Sequence, residues 1–259
     1  MTRPPIRLTD PVGPAGAPLV VLGHSLGTGI LLWENVVPAL AAEYRVALLS
    51  LPGHEQTPVP AEPFTLAELA DAVAETGQQL AGGRFLYAGV SIGGALGLEL
   101  ALGHPEALLG AAIIASGAAL GGAEHWTARA EMVRQQSPAA LVGPSSKTWF
   151  APDSITNEPV LTGRILRVLQ ETPSEGYARC AEALAKYDLS SRLGEISVPI
   201  LAVYGEFDTV GPEEKQDQIV AGVQRGRKLR IDGAAHQPPA EQPAAVSEAL
   251  LAFFAETAR

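Results

Sequence analysis

Apolar residues recur in this chain in two rhythms. Short, nearly unbroken runs at 19–22, 45–49, 85–88 and 111–115 read as strands buried on both faces of a parallel sheet. Helix-period segments separate them. Residues 33–42 form the first crossover, with Pro38 tolerated only as a kink or a late start. Thr65 and Glu68 make a capping-box pair ahead of the stripe Leu66, Leu69, Val73 and Leu80, and residues 93–102 form a helix of small residues ended by Gly103-His104-Pro105. With residues 5–9 as an edge strand, this alternation predicts an α/β fold with a doubly wound, mostly parallel sheet.

The rhythm breaks after the fourth buried run. From 117 to 187 no apolar strand returns, and the pattern predicts short helices at 124–136, 138–142, 157–169 and 174–186. The sheet then resumes with a strand at 200–204, a helix at 212–222, a strand at 228–231 and a closing helix at 241–256. The expected organisation is a core of 1–116 and 188–259, interrupted by a helical lid at 117–187 that covers the mouth of a site.

Composition narrows the function classes. A formal charge of −10 over 259 residues, with no basic stripe, argues against nucleic acid. The single cysteine, Cys180, forms no intramolecular disulfide and no multi-cysteine metal site. The first ten residues lack an apolar signal core, and alanine-rich stretches are broken before membrane-spanning length. A cytoplasmic protein with no membrane partner is expected. The same charge means that a site for an anionic substrate must supply its own local cation.

The chemistry gathers around Gly89-Val90-Ser91-Ile92-Gly93, a G-x-S-x-G pattern set between a predicted strand and a predicted helix. Ser91 is the candidate nucleophile, and the plainer alternative is a helix N-cap serine. A serine hydroxyl needs a base, and the base needs a carboxylate to set its tautomer. The strand at 200–204 runs into Glu206-Phe207-Asp208, and the strand at 228–231 into Asp232 and His236. His236 is the candidate base and Asp208 the candidate acid, with Glu206 as rival and Asp232 a distant third. The glycine-rich loop Gly23 to Gly29 follows the first buried strand, so the backbone N–H groups of Leu26 and Ile92 are the candidate oxyanion donors. His24 and His54 are expected to order that loop, His104 to be structural, and His125 to lie within reach of substrate. Scattered histidines and the absence of phosphate or dinucleotide fingerprints predict no metal and no cofactor.

The order GHSLG, LPGHE, GVSIGG, YGEFD and GAAH resembles the α/β-hydrolase superfamily along the whole chain. Finer stretches resemble the 3-oxoadipate enol-lactonases of the β-ketoadipate pathway, among them HSLGTGILLWENVVPAL, PFTLAELADAV, HWTARAEMVR and GAAHQPPAEQP. That resemblance implies an α/β-hydrolase fold and cofactor-free opening of an enol-lactone ring, with Ser91, Asp208 and His236 in the three catalytic positions. The family loop that often reads D-x-R-G-H-G-x-S is Ser50 to Thr57 here, without the aspartate and arginine, which removes a cation expected near the rim. Arg129, Arg134, Lys147 and Arg179 remain as partners for a substrate carboxylate. Arg129 is favoured because it follows Trp126 on one helix face. Ser25, Trp126, Arg129, Lys147 and Trp149 are the candidate substrate contacts. A general carboxylesterase or perhydrolase, a carbon–carbon bond hydrolase, and a non-catalytic ligand-binding protein are the alternatives. The expected partner is a small-molecule ester or lactone, and the oligomeric state is left open.

Overall fold

Strands β1 (Arg7–Leu8), β2 (Leu19–Gly23), β3 (Arg45–Ser50), β4 (Phe85–Val90) and β5 (Leu108–Ile114) alternate with helices α1 (Val37–Leu40), α2 (Leu66–Ala81) and α3 (Ile92–Gly103). The structure is a computed structural model that describes residues 3–258; positions 1, 2 and 259 of the expected core lie outside the described residues. Five helices follow: α4 (Ala123–Gln136), α5 (Val142–Thr148), α6 (Ser154–Asn157), α7 (Pro159–Glu171) and α8 (Ser174–Ala185). The sheet is completed by β6 (Ile200–Gly205) and β7 (Gly226–Ile231). Helix α9 (Glu213–Gly222) lies between them, and α10 (Pro238–Glu241) and α11 (Pro243–Thr257) close the chain.

The strand order is β1-β3-β2-β4-β5-β6-β7, with β1 antiparallel to β3 and every other pair parallel. From β2 the chain steps to β3 on one side and returns to β4 on the other. The carboxyl ends of β2 and β4 therefore flank a topological switch point, where open α/β sheets bind ligands. Gly23 pairs with Gly89 in register, so the glycine-rich loop and the serine turn leave the sheet side by side.

Local chemistry sets the helix boundaries. Thr65 and Glu68 form the reciprocal capping box at the start of α2, at 3.2 and 2.9 Å. Prolines shorten or divide four of the expected helices because a residue without an N–H belongs in a first turn. Residues 33–42 become a 3-10 turn (Ile30–Trp33) and the four-residue α1, with Pro38 in its first turn. Residues 138–142 become a 3-10 turn (Pro138–Leu141) leading into α5. Pro159 separates α6 from α7, and Pro243 separates α10 from α11. Among the described residues, no helix is long and apolar enough to cross a membrane.

Candidate active site

Ser91 stands between β4 and α3 at φ 56° and ψ −115°, a strained conformation for a residue with a side chain. Three hydrogen bonds hold it there. Its N–H donates to the Ile114 carbonyl (2.9 Å), and its carbonyl accepts from the Ala95 N–H (2.9 Å) and the Ser116 hydroxyl (2.7 Å). Ser91 occupies the N-cap position of α3, but its hydroxyl makes no capping bond to the helix. The flanking glycines have a packing reason. A Cβ on Gly89 would overlap the Gly93 carbonyl, and one on Gly93 would stand 2.8 Å from Gly23 O and 2.9 Å from His24 O. Gly89 lets α3 start this close to the end of β4, and Gly93 lets it start this close to β2.

On one side of Ser91, the glycine-rich loop is braced by two buried histidines. His24 Nε2 accepts from the Leu51 N–H (3.2 Å), and His54 Nε2 accepts from the Gly27 N–H (3.1 Å). Each Nδ1 faces a backbone carbonyl, Ser25 at 2.7 Å and Pro52 at 3.1 Å, which assigns the proton to Nδ1 in both rings. Both imidazoles are neutral: burial lowers His24 to about 4 and His54 to about 3. The Leu26 N–H donates to no protein acceptor among the described residues, and Ile92, first in α3, has no intrahelical acceptor. Ile92 follows Ser91 directly, and Leu26 lines the same cavity as Ser91.

On the other side, Asp208 and His236 meet after β6 and β7, with Nδ1 3.1 and 3.2 Å from the two carboxylate oxygens. Asp208 Oδ1 also accepts from the Val210 N–H (2.8 Å) and the Gly211 N–H (3.0 Å). Burial works against its charge, but His236 and these two donors together hold its pKa below the usual carboxylate value. Glu206 is exposed and accepts from the Gly233 N–H at 2.9 Å, and Asp232 pairs with Arg230 at 2.7 Å. Neither reaches His236.

Ser91 and His236 share a cavity of about 450 Å³ whose walls include Ser25, Leu26, Trp126, Arg129, Trp149, Tyr177 and Lys215. Neither Ser91 Oγ nor His236 Nε2 is taken by another protein group among the described residues. Trp126 donates to the Leu120 carbonyl (2.6 Å), and the Arg129 guanidinium lies 5.6 Å from its ring centre. Ser25 is on the wall with its hydroxyl bonded to Gln237 (3.0 Å). Lys147 is not there. Ser145, Thr148 and Trp149 share the cavity-facing side of α5, which leaves Lys147 exposed on the opposite side. Arg134 and Arg179 are spoken for as well, both paired with Glu175 and Glu182.

Lys215 was not among the sequence candidates. It lies in the first turn of α9, just after the Asp208 loop, and its ammonium donates to the Ala119 carbonyl at 2.8 Å. Its place directly after the acid-bearing loop was the available signal. Among the described residues, two cations, Arg129 and Lys215, and no carboxylate line the cavity of a protein whose formal charge is −10. The 50–57 loop contributes no wall residue. Ser50 and Thr57 instead bond within the loop, to His54 O (3.0 Å) and Ser50 O (3.3 Å).

Residues 18–146 match the α/β hydrolase fold family. The chain is 32% identical over 231 residues to 3-oxoadipate enol-lactonase 1 of Acinetobacter baylyi, covering 89% of this chain and 86% of that one. This chain belongs to the α/β-hydrolase family. Among solved structures, the enol-lactonase of Burkholderia xenovorans LB400 superposes with a TM-score of 0.92 at 28% identity, over 96% of both chains. A pimeloyl-(acyl-carrier protein) methyl ester esterase of Aeromonas hydrophila is 29% identical over 235 residues, 87% of this chain and 91% of that one. With such relatives, this α/β hydrolase is an ester hydrolase in the broad sense that includes lactones.

Proposed function

We propose that this α/β hydrolase is a cytoplasmic serine enzyme that opens a carboxylate-bearing enol-lactone of the 3-oxoadipate type. The cationic cavity wall carries the reading: Arg129 and Lys215 line the same cavity as Ser91, and no acidic residue among the described ones joins them there. A carboxylate there meets a guanidinium and an ammonium inside a chain that otherwise repels anions. The enol-lactonase relatives support the same choice.

In this mechanism Ser91 Oγ attacks the lactone carbonyl while His236 Nε2 takes its proton. Asp208 holds the Nδ1–H tautomer and stabilises the imidazolium. The tetrahedral oxygen accepts from the Leu26 and Ile92 N–H groups. Collapse breaks the ring C–O bond, and His236 returns the proton to the departing enol oxygen. The enol, still tethered in the acyl chain, tautomerises to the ketone and no longer competes for the acyl carbon. Water activated by His236 then releases the acid from Ser91. Residues 117–187 act as the lid, supplying Trp126, Arg129 and Trp149 to the wall.

The test is loss of the enol-lactone's ultraviolet absorbance with 3-oxoadipate enol-lactone, run beside 4-nitrophenyl acetate. A kcat/KM above about 10⁴ M⁻¹s⁻¹ is expected. Ser91→Ala should abolish it, and Arg129→Leu should raise KM for the lactone while sparing the uncharged ester. Ready aryl-ester turnover beside weak lactone turnover, unchanged by Arg129→Leu, would discard the lactone and retain the serine hydrolase.

A further inference from the structure

One buried carboxylate has no place in that mechanism. Glu241 ends α10, is only 7% exposed, and accepts four hydrogen bonds. Oε2 takes the Ala235 N–H (2.9 Å) and the Gln237 N–H (3.1 Å), the two amides on either side of His236. Oε1 takes the Ala151 N–H (2.6 Å) and the Ser154 hydroxyl (2.7 Å), both from the helical segment between β5 and β6. A fifth bond runs alongside, from the His236 N–H to the Trp149 carbonyl at 3.1 Å.

We propose that Glu241 is a positioning residue: its carboxylate ties the His236 loop to residues 149–154, so that the base and the Trp149 wall of the cavity move as one body. No side chain but a carboxylate of this length brings two acceptor oxygens to two pairs of donors on separate chain segments. A displacement of residues 149–154 then displaces His236 Nε2 from Ser91, so closure of that part of the wall over a substrate is coupled to activation of the nucleophile. The inference rests on His236 as the base of the proposed serine hydrolase and is independent of the lactone.

The experiment is the rate of covalent labelling of the full chain by a fluorophosphonate, resolved into maximal rate and half-saturating concentration. Hydrogen exchange is followed on the same samples. In Glu241→Gln the amide turns an N–H toward two donors, and the maximal labelling rate should fall by about 10- to 100-fold. The half-saturating concentration should hardly change. Ser154→Ala removes one lid-side donor at the start of the four-residue helix α6 and leaves the Glu241 charge in place, and it serves where the glutamine variant does not fold. It should slow labelling by about threefold, and exchange at residues 149–157 and 233–237 should quicken together while core strands stay protected. Labelling of Glu241→Gln within about twofold of the parent would overturn the proposal. So would exchange in Ser154→Ala that rises at 149–157 alone, or that rises equally in β4 and β5. A parent that does not label, or a Ser91→Ala variant that does, would instead sink the serine-hydrolase reading beneath it.

Discussion

Ser91 stands between two loops that are both built on buried histidines, and the two sides use the same residue in opposite ways. His24 and His54, with ring centres 5.1 Å apart, hold nothing but backbone. Each accepts an N–H, donates to a carbonyl and stays neutral. His236 is equally buried, at 2% exposure, yet its partner is the Asp208 carboxylate, and its other nitrogen is left for the cavity. Burial alone therefore says little about an imidazole's task. A carbonyl partner makes the ring a strut, and a carboxylate partner with a free second nitrogen suits it to the base role proposed above.

The sharpest way to break that contrast is to neutralise the partner. Asp208→Asn keeps an oxygen for the Val210 and Gly211 N–H groups but gives His236 no negative charge and the wrong tautomer. Turnover should fall by about 10⁴-fold with little change in the urea midpoint. A loss below about tenfold would place His236 with the struts.

The division between the two sides also explains what could be read from the sequence. The elbow, the glycine loop and the strand ends were legible because each rests on local rules: glycine beside a strained serine, apolar runs for buried strands, a carboxylate and a histidine at successive strand ends. Asp208 could be preferred over Glu206 but not separated from it. The two are two residues apart, and only the fold turns one inward and leaves the other exposed. The helical segment was legible as helices that supply Trp126, Arg129 and Trp149 to the cavity wall, but not in which face each helix turns inward. Which side of α5 faces the cavity depends on how it packs, and Lys147 fell on the wrong side of a helix whose own face the sequence does not mark. Lys215 and Glu241 were missed because their partners, Ala119 and residues 151–154, are some ninety positions away in the chain.

A smaller effect tests the struts. The folded pKa values of His24 and His54, about 4 and about 3, lie below the unfolded value of 6.5. Between those limits the unfolded chain binds protons that the native state refuses. Stability is thus complete above pH 6.5 and is lost as pH falls, by about 1.4 kcal/mol per pH unit for each fully titrating group. Burial raises the carboxyls of Glu99 and Glu241, which gives them the opposite slope above pH 4.5. The comparison with His54→Ala isolates the histidine's share. That variant leaves the Gly27 N–H unpaired and should cost about 2–4 kcal/mol at pH 7 in urea unfolding. The gap to the parent should narrow toward pH 4. A gap that stays constant with pH would mean that His54 is not held neutral.

The smallest expected effect lies where the strut side meets the helical segment. His54 Nδ1 and Cys180 Sγ both approach the Pro52 carbonyl, and one turn before Cys180 the backbone of Gly176 in α8 rests on Gly53. A Cβ on Gly176 would stand 2.5 Å from Gly53 O and 2.7 Å from Gly53 Cα, both main-chain atoms that cannot rotate aside. The segment is thus seated twice, by bare backbone contact on the His54 side and by the Glu241 carboxylate on the His236 side. Gly176→Ala gains about 1 kcal/mol of helix propensity and meets an overpacking cost of about 1–3 kcal/mol, so a net loss of about 1 kcal/mol is expected in urea unfolding. Because Tyr177 beside it lines the cavity, KM should rise while the fluorophosphonate maximal rate, governed by the His236 side, stays near the parent's. If the maximal rate fell with KM unchanged, the two seats would act as one, and the separation between struts and base would not extend to the segment above them.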